Sequence, residues 1–98
     1  MADQYEQWEH YIELIEANAE YAMSFVQQFY PQGPVPIYAV QSILPRLNAL
    51  GEQGWELVHI EPVRLGNNGD ILLGNDQTQG TRQWAHHYLC SFKRRRRI

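Results

Sequence analysis

The sequence has a single cysteine, Cys90, so no intramolecular disulfide can form. It has no apolar run near the ~20 residues that a membrane-crossing helix requires. Its opening residues, MADQYEQWEH, lack the basic start and apolar core of a signal peptide. A cytoplasmic protein without a membrane span is therefore expected. Motifs of chemistry are missing too. The glycine-containing segment RLGNNGDILLGNDQTQGT has no Walker-type phosphate loop, with its spaced glycines and Lys-Ser/Thr ending. Cys90 has neither a nucleophile elbow nor a redox partner, which suits a buried, inert thiol. No catalytic residue and no cofactor is expected.

What remains describes a small folded domain. Ninety-eight residues form one domain, and a chain of this size buries roughly 60 to 70% of its unfolded surface, enough for one modest core. A hydrophobic content of 44% with 12% aromatics excludes a wholly disordered chain, and a mean hydropathy of −0.51 indicates a wet surface.

The most informative stretch is Ser42 to Val63, SILPRLNALGEQGWELVHIEPV. Val40, Ile43, Leu44, Leu47 and Leu50 recur at spacings of three and four, which places them on one face of a helix. Ser42 is expected as its N-cap, with Pro45 in the first turn, where a missing N–H does no harm. Gly51 and Gly54 follow the last periodic residue, and Gly54 is expected at C′ in the left-handed conformation. From Trp55 the run WELVHIEPV turns strand-like. Trp55, Leu57 and His59 are expected on one face, with Val58 and Ile60 on the other. Pro62 marks an edge or a bulge.

The run Leu47-Asn48-Ala49-Leu50-Gly51-Glu52-Gln53-Gly54-Trp55-Glu56-Leu57-Val58 resembles the signature of a family of small bacterial and phage proteins catalogued as domain of unknown function 4177. The structural signature residues are Asn48, Gly51, Gly54, Trp55, Glu56 and Leu57. Trp8-Glu9-His10-Tyr11-Ile12 and Phe92-Lys93-Arg94 resemble the family's opening and closing strands. The chain departs from the short family pattern in a longer segment over 16–41 and a long loop before the last strand. The resemblance implies a small α+β fold and no established activity.

Residues 8–15 alternate as a strand, with Trp8, His10, Ile12 and Leu14 on one side and Glu9, Tyr11, Glu13 and Ile15 on the other. Residues 17–30 carry Ala22, Phe25, Val26 and Phe29 at helical spacing, ended by Pro31. Pro31, Pro34 and Pro36 make residues 31–36 an extended linker. After Val63, the turn-forming clusters at 66–70 and 74–76 predict a loop or protruding hairpin, with Ile71-Leu72-Leu73 its apolar patch. Residues 83–93 return to strand character, with Trp84, His86, Tyr88, Cys90 and Phe92 on the face turned to the helix. The order is β-α-α-β-β. A right-handed crossover makes the first two main strands parallel, and the last strand inserts antiparallel between them. The expected fold is a small α+β domain over 1–92, with a three-stranded mixed sheet in the order 1-3-2 and helices on one face, followed by a basic tail, 93–98.

His10, His59, His86 and His87, with Cys90 and the carboxylates, are the residues from which a metal or acid–base site would be built. Neighbouring strand residues point to opposite faces, so His86 and His87 are not expected to chelate together, whereas His59 and His86 are able to meet across paired strands. Histidines at strand surfaces or interfaces are the plainer reading, and no metal is expected. Trp8, Trp55 and Trp84 read as core rather than base-stacking platforms, Trp55 most clearly.

Charge is unevenly placed. Lys93, Arg94, Arg95, Arg96 and Arg97 are five of the eight basic residues, and the first 92 residues hold three bases against eleven acids, a net charge of −8. Such a run suits nucleic-acid phosphates or an anionic surface. It equally suits acidic residues such as Glu9, Glu13 and Glu16 on its own or a neighbouring subunit. The acidic body weakens any gain on a phosphate backbone. The expected function is thus a non-enzymatic protein-interaction or assembly module, a homo-oligomer through its sheet edge or face. The alternative is an accessory nucleic-acid-binding protein that uses the basic tail.

Overall fold

The computed structural model describes residues 5–66, 68–72 and 86–96. Trp84, Arg97, Leu73 and the expected turn at 74–76 lie outside the described residues. Among the described residues four strands form one sheet: β1 (Trp8–Glu16), β2 (Glu56–Leu65), β3 (Ile71–Leu72) and β4 (His87–Arg95), in the order β1-β4-β2-β3. β4 is antiparallel to both β1 and β2, so the three long strands take the expected order, with β1 and β2 parallel. β3 is the return arm of the hairpin expected after Val63. Arg64 pairs with Leu72 and Leu65 with Ile71, and Gly69 at φ +85° lies in the turn between them.

Alternation in β1 resolves as its residue types require. Glu9, Tyr11, Glu13 and Ile15 face the helices, and Trp8, His10, Ile12 and Leu14 face outward. Antiparallel partners share a face, so Tyr11 opposite Phe92 joins Cys90 and Tyr88 on the inner side. β2 does not keep phase. A register shift between Leu57 and His59 leaves Val58 without a partner in the β4 ladder. Leu57 opposite Phe92 and Ile60 opposite Cys90 therefore both face inward, while His59 opposite Ser91 faces outward. The expected sharing of a face by Leu57 and His59 is corrected by this bulge. Among the described residues Pro62 pairs with Tyr88 of β4 alone, which suits a residue with no N–H to give on its second side.

The main helix, α2 (Leu44–Glu52), carries Pro45 in its first turn as expected. Ser42 is not its N-cap. A 3-10 turn, Val40–Ile43, precedes the helix, and within it the Ser42 hydroxyl donates to the Ala39 carbonyl at 2.8 Å. The helix ends in a Schellman closure. Gly54 N–H donates to Gly51 O at 2.9 Å and Trp55 N–H to Leu50 O at 3.0 Å, with Gly54 at φ +93°. A Cβ on Gly54 would meet nothing closer than 3.6 Å, so backbone conformation, not space, is what selects glycine there.

The segment expected as one helix over 17–30 is instead a series of short turns. A 3-10 turn, Ala19–Ala22, leads into α1 (Met23–Val26) and a second 3-10 turn, Gln27–Phe29. Ala22 at φ −150°, ψ 45° interrupts the helical path, and Asn18 Oδ1 caps the first turn by accepting from Glu20 N–H at 2.9 Å. The main core joins Ile15, Ala17, Cys90 and Phe92 of the sheet side to Ile43 and Leu50 of the helix side. A satellite cluster of Ala19, Val26 and Ala39 holds the turns against the start of the α2 segment.

Candidate functional site

Arg94 links several elements of the fold. β4 continues past Phe92 to Arg95, so Lys93, Arg94 and Arg95, expected in a tail beyond residue 92, are the end of the central strand. Pleating turns Arg94 to the inner face beside Phe92. Its Nε–H donates to Glu9 Oε2 and its Nη1–H to the Gln53 carbonyl, both at 2.7 Å. Its guanidinium carbon lies 4.1 Å from the centre of the Trp55 ring. One side chain thereby joins β1, β4, the end of α2 and the start of β2. A cation is favoured at that helix end, where carbonyls lack partners.

Lys93 and Arg95 turn to the outer face. Lys93 Nζ lies 4.5 Å and the Arg95 guanidinium 5.9 Å from the centre of the Trp8 ring. Arg95 Nη2–H also donates to Glu6 at 2.8 Å. Arg96 leaves the strand with an exposed side chain, its amide donating to Gln7 O at 2.8 Å. An open depression of about 740 Å³ lies between Glu9, Gln53, Gly54, Arg94, Arg95 and Arg96. Of the expected acidic partners, Glu9 does meet the basic run. Glu13 meets Arg46, and Glu16 lies opposite His87 in the ladder.

Trp55 is half-buried, between the Tyr11 ring at 5.5 Å and the Arg94 guanidinium. The other signature residues divide. Gly51 and Gly54 close the helix, Leu57 lies opposite Phe92 in the ladder, Glu56 lies opposite Lys93, and Asn48 is exposed on α2. Beside this core, Arg46 grips Glu13 with two bonds of 2.8 Å, and the Tyr11 hydroxyl donates to the same carboxylate at 2.5 Å. The Arg46 bonds hold the Glu13 carboxyl below its usual range against the opposing effect of burial. Bonding to Glu13 holds the Tyr11 hydroxyl above its own ordinary value. Burial likewise raises the Cys90 thiol, with the Glu13 charge adding to it.

Among the described residues no helix covers the outer face. Ile12 is 63% exposed, Leu14 40% and Trp8 39%, and all three stand on β1, which pairs with β4 alone among the described residues. Trp8, expected in the core, is an outer-face residue. No buried side-chain polar atom among the described residues lacks a partner. No helix among them is long and apolar enough to cross a membrane.

The histidines differ most from expectation. His59 pairs with Ser91 and bonds Glu61 at 2.8 Å, so it does not meet His86. His86 immediately precedes the strand, and its ring centre lies 4.6 Å from that of His87. Opposite-face placement therefore does not apply to this pair. One ligand atom each from Glu16, His86 and His87 lie within 4.8 Å of one another. No family model, curated protein or solved structure matches this chain.

Proposed function

We propose that this protein is a non-enzymatic assembly module that self-associates by pairing the edge strand β1 with β1 of a second copy, and that it belongs with the small proteins of the Gly-Trp-Glu-Leu signature. The observation that carries this reading is a strand of nine residues that is, among the described residues, at the sheet edge, bearing the exposed Trp8, Ile12 and Leu14 on its outer face. An edge strand presents a row of unpaired N–H and C=O groups, which natural proteins cover, blunt or use. An antiparallel β1–β1 contact satisfies both copies at once by a twofold axis and joins their two outer apolar patches into one surface.

The internal pairing of the basic residues supports this reading over the nucleic-acid one. Arg94 and Arg95 already neutralise Glu9 and Glu6 within the chain, so fewer cations remain to displace counterions from a phosphate backbone. Light scattering after size exclusion at two salt concentrations tests the proposal. A mass above the monomer that holds at high salt is expected of apolar and backbone pairing. A monomer at both concentrations contradicts it, and a mass that falls steeply with salt instead points to charge pairing between the basic strand end and an acidic neighbour.

A further inference from the structure

We propose that Glu16, His86 and His87 form a binding site for a divalent transition-metal ion of the zinc type. Two backbone links hold the three together. Glu16 closes β1 and His87 opens β4, and the two are direct partners across the antiparallel ladder. One step further, Ala17 N–H donates to the His86 carbonyl at 2.8 Å. Partners in a ladder present their side chains to the same face, which puts the Glu16 carboxylate beside the His87 imidazole. His86 is the residue just before the strand, and its ring centre lies 4.6 Å from that of His87, which brings it to the same place.

The donor set selects the ion. Two imidazole nitrogens and one carboxylate oxygen suit zinc and its late first-row neighbours, whereas calcium and magnesium favour all-oxygen shells. Bonds of about 2.0 to 2.2 Å in a tetrahedral shell place donor atoms about 3.3 to 3.5 Å apart. The three donor atoms here lie within 4.8 Å, so closure requires a shift of an ångström or so. Glu16 is exposed and His87 half-exposed, which leaves rotation about their side-chain bonds to supply it. The His86 ring is stacked on Tyr38, with centres 4.4 Å apart and planes at 17°. That contact restricts the imidazole plane as an outer-shell group does in other metal sites. A depression of about 280 Å³ alongside, lined in part by His86, His87 and Val63, admits water to a fourth position. A bound ion would clasp the edge strand to the central strand at this end of the sheet.

Calorimetric titration of the full chain with Zn²⁺ tests the site. Saturable binding of one ion per chain is expected. Glu16→Gln, His86→Ala and His87→Ala are each expected to weaken it about tenfold or more, since loss even of an outer-shell partner has an effect of that size. His10→Ala and His59→Ala should leave it unchanged. Side-chain histidine resonances of the unaltered protein give a second reading that depends on no variant: those of His86 and His87 should move with Zn²⁺, and those of His10 and His59 should not. Absence of saturable binding, binding undiminished by His87→Ala, or movement of the His59 resonances in place of the other two overturns the proposal.

Discussion

The Arg94 guanidinium lies 4.1 Å over the Trp55 ring while its N–H groups hold Glu9 and the Gln53 carbonyl. A stacked cation at a partly exposed site contributes about 0.5 to 1 kcal/mol. The two charged hydrogen bonds add a similar amount once solvent screening is counted. Arg94→Ala is therefore expected to destabilise by about 1 to 2 kcal/mol. Arg94→Lys should recover less than half of that, because an ammonium does not span both acceptors and the ring. Urea denaturation of the three proteins is the check, and an unchanged midpoint for Arg94→Ala contradicts the bridging role.

Gly54 and Trp55 act as one closure. A β-carbon at Gly54 must adopt φ +93°, and a left-handed residue with a side chain is unfavourable by about 1 to 2 kcal/mol. Gly54→Ala should lose that much, and Gly54→Val more. Trp55→Ala should lose about 2 to 3 kcal/mol, less than the 3 to 5 typical of a fully enclosed ring, since one side of the indole is covered by Arg94 rather than by core. Equilibrium unfolding distinguishes the cases. Equal effects from Gly54→Ala and Gly51→Ala would show that positive φ is not what selects glycine at 54.

Local patterns were the legible part of this fold. Period-two alternation marks residues 8–15, helical spacing marks the face of Ile43, Leu47 and Leu50, and Gly54 follows the last periodic residue as a helix stop should. Features created by pairing were not legible. The bulge at Val58 arises because β2 slips by one residue against β4, and nothing in WELVHI announces it. The run Lys93–Arg97 reads as a tail because its partners Glu9 and Glu6 lie 85 and 89 residues from Arg94 and Arg95. The two histidines were separated by a strand rule that holds inside the pleat, and the strand begins between them. Ser42 lost its capping role when a 3-10 turn extended the helical path before it.

Acid should weaken the protein partly through Glu13. Its folded pKa lies below the unfolded value of about 4.5 because Arg46 bonds the ionised form. The stabilisation is fully present above the unfolded value and fades as pH falls through the lowered folded one. Glu13→Gln should lose about 1 kcal/mol at neutral pH, the scale of a partly exposed bidentate pair, and its deficit relative to the parent should shrink below pH 4.5. Denaturation midpoints across the acid range measure this. A deficit that grows on acidification has the wrong sign for the account.

Cys90 is wholly buried with a raised thiol pKa, so both access and thiolate fraction are low. Its labelling by a thiol reagent at neutral pH should be slow in the folded protein and rapid in denaturant. Fast labelling of the folded chain would mean that β4 opens far more readily than its central position implies.

A test of nucleic-acid binding by truncation at residue 93 would remove three residues of β4 and so confound binding with folding. Arg96→Ala leaves the strand intact. Anisotropy with labelled DNA and RNA at about 0.15 M salt is expected to show no micromolar binding by either the parent or this variant. Binding by the parent that Arg96→Ala weakens would favour the nucleic-acid reading.

The most direct test of assembly through β1 is the solution mass of the parent chain beside that of Ile12→Asp, by sedimentation equilibrium. Ile12 is 63% exposed at the middle of the edge strand, so the substitution leaves the core of a single copy untouched while placing a charge where two copies would meet. The expected result is a parent mass of about twice the 11.5 kDa chain and a folded, monomeric Ile12→Asp. A parent that stays monomeric at every concentration, or an Ile12→Asp protein that associates as the parent does, contradicts it.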